Sequence, residues 1–206
     1  MAAVDHGAAV EHGATSTGLP STKLAMWLFL ASDCLLFGAL ISTYVLYRGA
    51  SIVGPYPNDV FDIPYTSVSS FVLLASSLTM VLALAAIQRA DVGRARVWLL
   101  ATALLGATFL GGQVYEFTEF AREGLTLSTN MFSTSFFVLT GFHGTHVAVG
   151  VLMLLTLFTL TYAGKIGPAQ SEAVELVGLY WHFVDIVWIV IFTVVYLIPT
   201  ENPVGV

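Results

Sequence analysis

Residues 131–162 read MFSTSFFVLTGFHGTHVAVGVLMLLTLFTLTY and lie within a charge-free stretch that runs from Gly124 to Gly164. A helix needs about 20 apolar residues to cross a hydrocarbon core of ~30 Å, so this stretch is long enough to span a membrane. Working outward through the gaps between charges gives four more such spans, at about 24–47, 65–87, 96–118 and 174–198. Composition agrees: 57% of the 206 residues are hydrophobic and 10% are charged, and the mean hydropathy is +0.85, against about 25% charged residues in an average soluble domain. A disordered chain is excluded by the same figures, because disorder needs low hydrophobicity and high charge density. The expected fold is all-α, a polytopic membrane protein built as a bundle of five transmembrane helices.

Short connections separate the spans. Pro55, Pro57 and Pro64, with Asn58 and Asp59, are expected to break the first connection, and Gly167-Pro168 the last. Ser128, Thr129 and Asn130 supply side-chain oxygens suited to capping the fourth helix. The expected organisation is a flexible tail at 1–22, a five-helix domain at 23–200 and a C-terminal tail at 201–206. Residues 1–22 are rich in Ala, Gly, Ser and Thr, carry His6 and His12, and lack the basic start and apolar centre of a signal peptide.

Seven Lys plus Arg against thirteen Asp plus Glu give a net charge of −6. No basic cluster exists to neutralise a phosphate backbone, so nucleic acid is not an expected partner. Cys34 is the single cysteine, so this chain alone builds neither a disulfide framework nor a thiolate metal site. Lys23, Arg89, Arg94, Arg96 and Lys165 fall on one side of the five-span arrangement and only Arg48 and Arg122 on the other. Because cytoplasmic loops are enriched in Lys and Arg, the N-terminus is expected inside and the C-terminus outside. Trp27, Tyr44, Tyr47, Trp98, Tyr162 and Tyr196 lie near span ends, as an interfacial aromatic belt requires. Thr102 with Gly106, and Gly144 with Ala148, offer the small pairs four apart that let helices approach closely in lipid.

A charge inside a span costs on the order of 3 kcal/mol on insertion scales unless it is paired or faces protein, so such residues are candidate functional groups. Asp33 lies about ten residues, roughly 15 Å, into the first span and so near the midplane. His143 and His146 are similarly deep in the fourth span, and His182 and Asp185 in the fifth. Glu116 and Glu119 rank lower, being near the outer end of the third. His143 with His146, and His182 with Asp185, are spaced three apart and share a helix face, while Trp181, Asp185 and Trp188 form an overlapping stripe. Those faces are expected to point into the bundle. Three chemistries fit: a buried hydrogen-bond network, which is preferred, a proton relay through Asp33, or a metal cage. A metal-dependent oxygenase would take His143, His146, His182 and Asp185 as ligands. An independent proton-coupled carrier would use Asp33, His182 and Asp185, but the inverted repeats and interrupted helices of carriers are not evident.

The string WHFVDIVW, Trp181 to Trp188, resembles the last helix of subunit III of haem-copper terminal oxidases. TGFHGTHVAVG, Thr140 to Gly150, resembles the paired-histidine helix of that family, QVYEF, Gln113 to Phe117, adds to the match, and ASDCLLF, Ala31 to Phe37, resembles the segment carrying its buried carboxylate. The resemblance covers about residues 22–200. Five helices resemble the short bacterial form, which lacks the first two of the seven found in many members. The carboxylate that is often Glu in the family is Asp33 here.

That resemblance implies a non-catalytic subunit of a proton-pumping cytochrome c oxidase in the bacterial plasma membrane, with no cofactor or metal of its own. Haem and copper belong to partner subunits. Subunit I is the implied main contact, with subunit II as a further partner and membrane lipids alongside. Support of proton uptake into subunit I, protection during turnover and phospholipid binding are the implied roles. The donor, reached only through the complex, is read as cytochrome c, with quinol as the alternative. Asp33, Glu116, His143, His146, His182 and Asp185 are the buried polar or proton-related candidates.

Overall fold

The computed structural model describes residues 20–49 and 61–198. Five helices long and apolar enough to cross a membrane are present: α1 Ser21–Tyr47, α2 Ile63–Gln88, α3 Val92–Arg122, α4 Met131–Tyr162 and α5 Ser171–Phe192. A short 3-10 turn, Pro168–Gln170, leads into α5, and a π-helical turn, Thr193–Leu197, extends it. The five expected spans are all found, and the fourth matches its expected limits. Most of the N-terminal tail with His6 and His12, the segment 201–206, and Pro55, Pro57, Asn58 and Asp59 lie outside the described residues.

Pro64 departs from its expected role as a breaker. It sits in the first turn of α2, where the missing N–H would have had no intrahelical partner and the fixed φ suits the helix. The Asp62 carboxylate caps the same turn by accepting from the Tyr65 N–H at 3.1 Å. Asn130 caps α4 as expected, accepting from the Ser133 N–H at 2.8 Å. Thr129 instead ties up the preceding loop, donating from its hydroxyl to the Gly124 carbonyl at 3.0 Å.

Helices α2, α3 and α4 end in a common motif that turns the chain back. A residue with left-handed φ follows each cap, and the next N–H returns to a carbonyl five residues upstream, as with Asp91 N–H to Ala86 O at 3.0 Å. At Gly124 and Gly164 the φ values are +86° and +73°, which glycine adopts freely. The same position after α2 is Ala90, at φ +61°.

α5 packs against α1, α2 and α4, while α3 packs against α2 and α4, and α1 sits at the edge on α4 and α5. In lipid no hydrophobic force drives helices together, so packing and interhelical hydrogen bonds must hold the bundle. Trp181 of α5 supplies both. Its indole N–H donates to the Ser76 hydroxyl of α2 at 2.9 Å. Its ring fills the space left by Gly106 of α3 and Gly150 of α4, where an added Cβ would stand 2.4 and 2.7 Å from indole carbons.

Thr102, four residues before Gly106, is buried and its hydroxyl pairs with Thr79 of α2 at 2.8 Å, so the first expected small pair lies at a helix contact. The second does not: a Cβ on Gly144 would meet only Leu110 Cδ1, at 3.9 Å. Gly150 is the close-approach residue of α4. Hydroxyls on outward faces are satisfied within their own helices, as in Ser42 to Gly38 O and Thr108 to Leu104 O, both at 2.8 Å.

The aromatic belt also needs correction. Trp27 and Tyr162 are exposed, but Tyr44 and Tyr196 turn into the bundle, Tyr44 against Phe132 and Tyr196 against Phe61. Proximity to a helix end does not fix the azimuth of a side chain, and these two lie on the faces that α4 and the aromatic Phe61 cover.

Candidate functional site

Three polar clusters occupy the bundle, and each gathers residues from different helices. In the first, Asp33 of α1 faces His146 of α4, with Oδ2 to Nε2 at 3.6 Å. Neither side chain is far from full burial, and Asp33 Oδ2 has no hydrogen-bond partner. His146 Nδ1 lies 2.8 Å from the Phe142 carbonyl. A carbonyl only accepts, so Nδ1 carries a proton and donates it there. The other ring nitrogen, Nε2, is the one turned toward Asp33 Oδ2. Tyr180 of α5 closes the cluster, its hydroxyl donating to the His146 carbonyl at 3.0 Å. Beside it runs a groove of about 340 Å³ lined mainly by apolar groups, among them Met26, Phe29, Val149 and Met153.

His143, one turn away from His146, is buried and hydrogen-bonds to nothing through either ring nitrogen. It is held by rings instead: stacked on Trp188 at 4.9 Å between centroids and edge-on to Phe109 at 6.1 Å and Phe37 at 6.4 Å. Trp188 is fixed in turn by its indole N–H, which donates to the Ser70 hydroxyl of α2 at 2.8 Å.

The second cluster faces α2. His182 Nδ1 and the Ser77 hydroxyl are 2.7 Å apart. Asp185, one turn on, is buried, and neither of its carboxyl oxygens has a well-formed hydrogen bond.

The third cluster surrounds Glu116, which the sequence placed low. It is buried, with Oε1 accepting from the hydroxyls of Thr66 at 2.8 Å and Tyr196 at 3.2 Å. Oε2 accepts from Gln113 Nε2 at 3.0 Å. Glu116 also borders a cavity of about 510 Å³ shared with Asp62, Glu119 and Glu123. Thr66 and Tyr196 lie 50 and 80 residues from Glu116 in sequence, which is why spacing did not reveal them. Glu119 pairs with Arg122 on the surface, 2.5 Å apart.

The expected faces do point inward, but they do not converge on one centre. Among the described residues, no three His, Cys, Asp or Glu side chains are placed to hold a metal ion. The four residues a metal oxygenase would require are split between the His143 ring stack, the Asp33 pair, the Ser77 contact of His182 and the separate Asp185 carboxyl group, so the donor set does not fit a metal. What the geometry provides is a carboxyl group and an imidazole from different helices facing each other at 3.6 Å, and interhelical hydrogen bonds elsewhere.

The cytochrome c oxidase subunit III family profile matches residues 5–199. A relative named cytochrome c oxidase subunit 3, from Bacillus sp. (strain PS3), is 39% identical over 190 residues, covering 92% of this chain and 91% of that protein. One named cytochrome bo(3) ubiquinol oxidase subunit 3, from Pseudomonas aeruginosa, is 38% identical over 187 residues, with 91% and 88% covered. A third, named quinol oxidase subunit 3, from Bacillus subtilis, is 36% identical over 174 residues, with 84% and 85% covered.

Proposed function

The chain belongs to the cytochrome c oxidase subunit III family, and from that premise we propose that it is a non-catalytic subunit that supports proton supply to the catalytic subunit. The family is a subunit of haem-copper oxidases, membrane-bound oxidoreductases of aerobic respiration, and the five apolar helices make this chain a multi-pass membrane protein. Haem and copper reside in the partner subunits, and this chain carries no redox centre. Subunit I is its main contact and subunit II a further partner. The complex lies in the bacterial plasma membrane, with the N-terminus cytoplasmic. The five cations grouped with the N-terminal end of α1 support that orientation.

One observation carries the proton reading: the Asp33 and His146 pair at 3.6 Å. Asp33 lies twelve residues after Ser21, the start of α1, the Nδ1 bond of His146 leaves Nε2 facing the carboxyl group, and Phe37 packs edge-on at 5.1 Å to His146. An isolated carboxylate at this depth would be costly, and the facing imidazole gives it a polar partner inside the bundle. The groove beside the pair is proposed to hold a phospholipid chain. Cytochrome c is the proposed donor and quinol the second reading, since names of both kinds occur among the relatives.

Asp33→Asn tests the proposal. Asparagine keeps the shape but cannot exchange a proton, so assembly and haem content should stay intact while proton uptake during turnover slows. Complete loss of the assembled complex would show that Asp33 is structural and defeat the proton reading.

A further inference from the structure

The hairpin between α2 and α3 carries a second, chemically different crevice. It has a volume of about 420 Å³ and is lined by Leu82, Ala86, Arg89, Asp91, Arg94 and Trp98. The left-handed turn at Ala90 folds α3 back along α2, so that both arginines border one opening. Arg89 uses its Nε–H on the Ala85 carbonyl of its own helix, at 3.1 Å, and Arg94 uses Nε on Asp91 Oδ2, at 3.2 Å. Asp91 Oδ1 is taken by the Arg94 N–H at 3.0 Å. Both oxygens of the one acid are therefore committed, whereas each guanidinium keeps its Nη donors, in the fork that suits a phosphate.

Two features select the ligand. The crevice carries one net positive charge at the end of two membrane-crossing helices, the depth at which lipid phosphates lie. Its remaining walls are Leu82, Ala86 and the half-buried Trp98, an apolar surface with an indole at the interface. A small free anion would have no use for those walls, and a purely apolar molecule none for the arginines. We propose that this crevice seats an anionic phospholipid, with its phosphate on the Nη groups of Arg89 and Arg94 and its glycerol and first acyl carbons along Leu82, Ala86 and Trp98. Basic pockets between helices bind acidic headgroups on this principle. The inference deepens the lipid-binding part of the proposed function, and it places this lipid away from the apolar groove beside Asp33.

The test uses the intact oxidase in nanodiscs of phosphatidylcholine with a minor share of phosphatidylglycerol, reading retained lipid by native mass spectrometry. Wild-type complex should hold one phosphatidylglycerol that Arg89→Gln with Arg94→Gln releases, with affinity falling about tenfold, while retained phosphatidylcholine is unchanged. Arg122→Gln, at the other end of α3, should leave retention as in wild type. Should the double variant fail to assemble, Arg89→Gln alone, whose side chain bonds only its own helix, should give a smaller loss of the same lipid. Equal retention by wild type and variants, no preference over phosphatidylcholine, or displacement of the lipid by inorganic phosphate alone would each overturn the proposal. Haem absorbance of the same samples reports separately on the subunit reading: a chain that holds the lipid without haem supports the crevice and defeats the oxidase role.

Discussion

Gly106→Ala adds one methyl group at the tightest point of the bundle. The new Cβ would lie 2.4 Å from Cη2 and 2.8 Å from Cζ2 of Trp181, and 3.1 Å from Val151 Cγ2. Carbon atoms pack at about 3.5–4.0 Å, so more than 1 Å must be found. The indole cannot supply it by turning. Gly150 closes its other side, where a Cβ would stand 2.7 Å from Cε3 and Cζ3, and the Nε1 bond to Ser76 fixes its angle. Either α3 moves away from α5 or the Ser76 bond breaks. Overpacking of this kind costs about 1–3 kcal/mol, and a lost interhelical hydrogen bond about 0.6–2 kcal/mol. The better helix propensity of alanine returns about 1 kcal/mol, leaving a net loss of up to about 2 kcal/mol if α3 only shifts and up to about 4 kcal/mol if the Ser76 bond is lost as well. Thermal unfolding of the detergent-solubilised complex should show the loss, with Gly144→Ala neutral or slightly stabilising, because its Cβ would meet only Leu110 at 3.9 Å. Trp181→Phe removes the atoms in conflict, so its effect combined with Gly106→Ala should be smaller than the sum of the two. Equal stabilities of the 106 and 144 variants would refute the reasoning.

The other expected outcomes follow from the same geometry. Trp188→Phe gives up the 2.8 Å bond to Ser70 and part of the stack on His143, and should lower stability by about 1–3 kcal/mol in the same unfolding assay. Glu116→Gln replaces one acceptor oxygen by a donor among Thr66, Gln113 and Tyr196, and should cost about 1–3 kcal/mol; an unchanged midpoint would show the network to be idle. Ala90→Gly removes the side chain from a left-handed turn and should stabilise by about 1 kcal/mol, read as a raised midpoint.

The spans were legible because a membrane imposes a length on every helix, and the gap between Gly124 and Gly164 leaves one reading. The ends were less so. α3 runs from Val92 to Arg122, beyond the expected 96–118, because its termini carry charges that reach water while the backbone stays helical. Pro64 lies inside the helix rather than before it, since the effect of a proline depends on its position within a turn. Depth and three-residue spacing single out Asp33, His143, His146, His182 and Asp185 as polar groups at membrane depth, yet spacing along one helix does not tell which neighbour a face meets. His143 therefore meets Trp188 and Phe109, while His146 meets Asp33. Glu116 was undervalued because its partners come from α2 and the end of α5. The role of Gly150 was hidden too: it becomes visible only when Trp181 is placed against it.

Whether this chain works as a redox-inactive subunit within a haem-copper oxidase can be read from its pigments and metals. A reduced-minus-oxidised spectrum with metal analysis, taken on the material that copurifies with the chain in mild detergent and again on the chain stripped of partners, tests it most directly. Haem bands and copper are expected in the first sample and neither in the second, with haem a favouring cytochrome c as donor and haems b and o favouring quinol. A chain that purifies free of haem, or a stripped chain that keeps stoichiometric metal, would contradict that role.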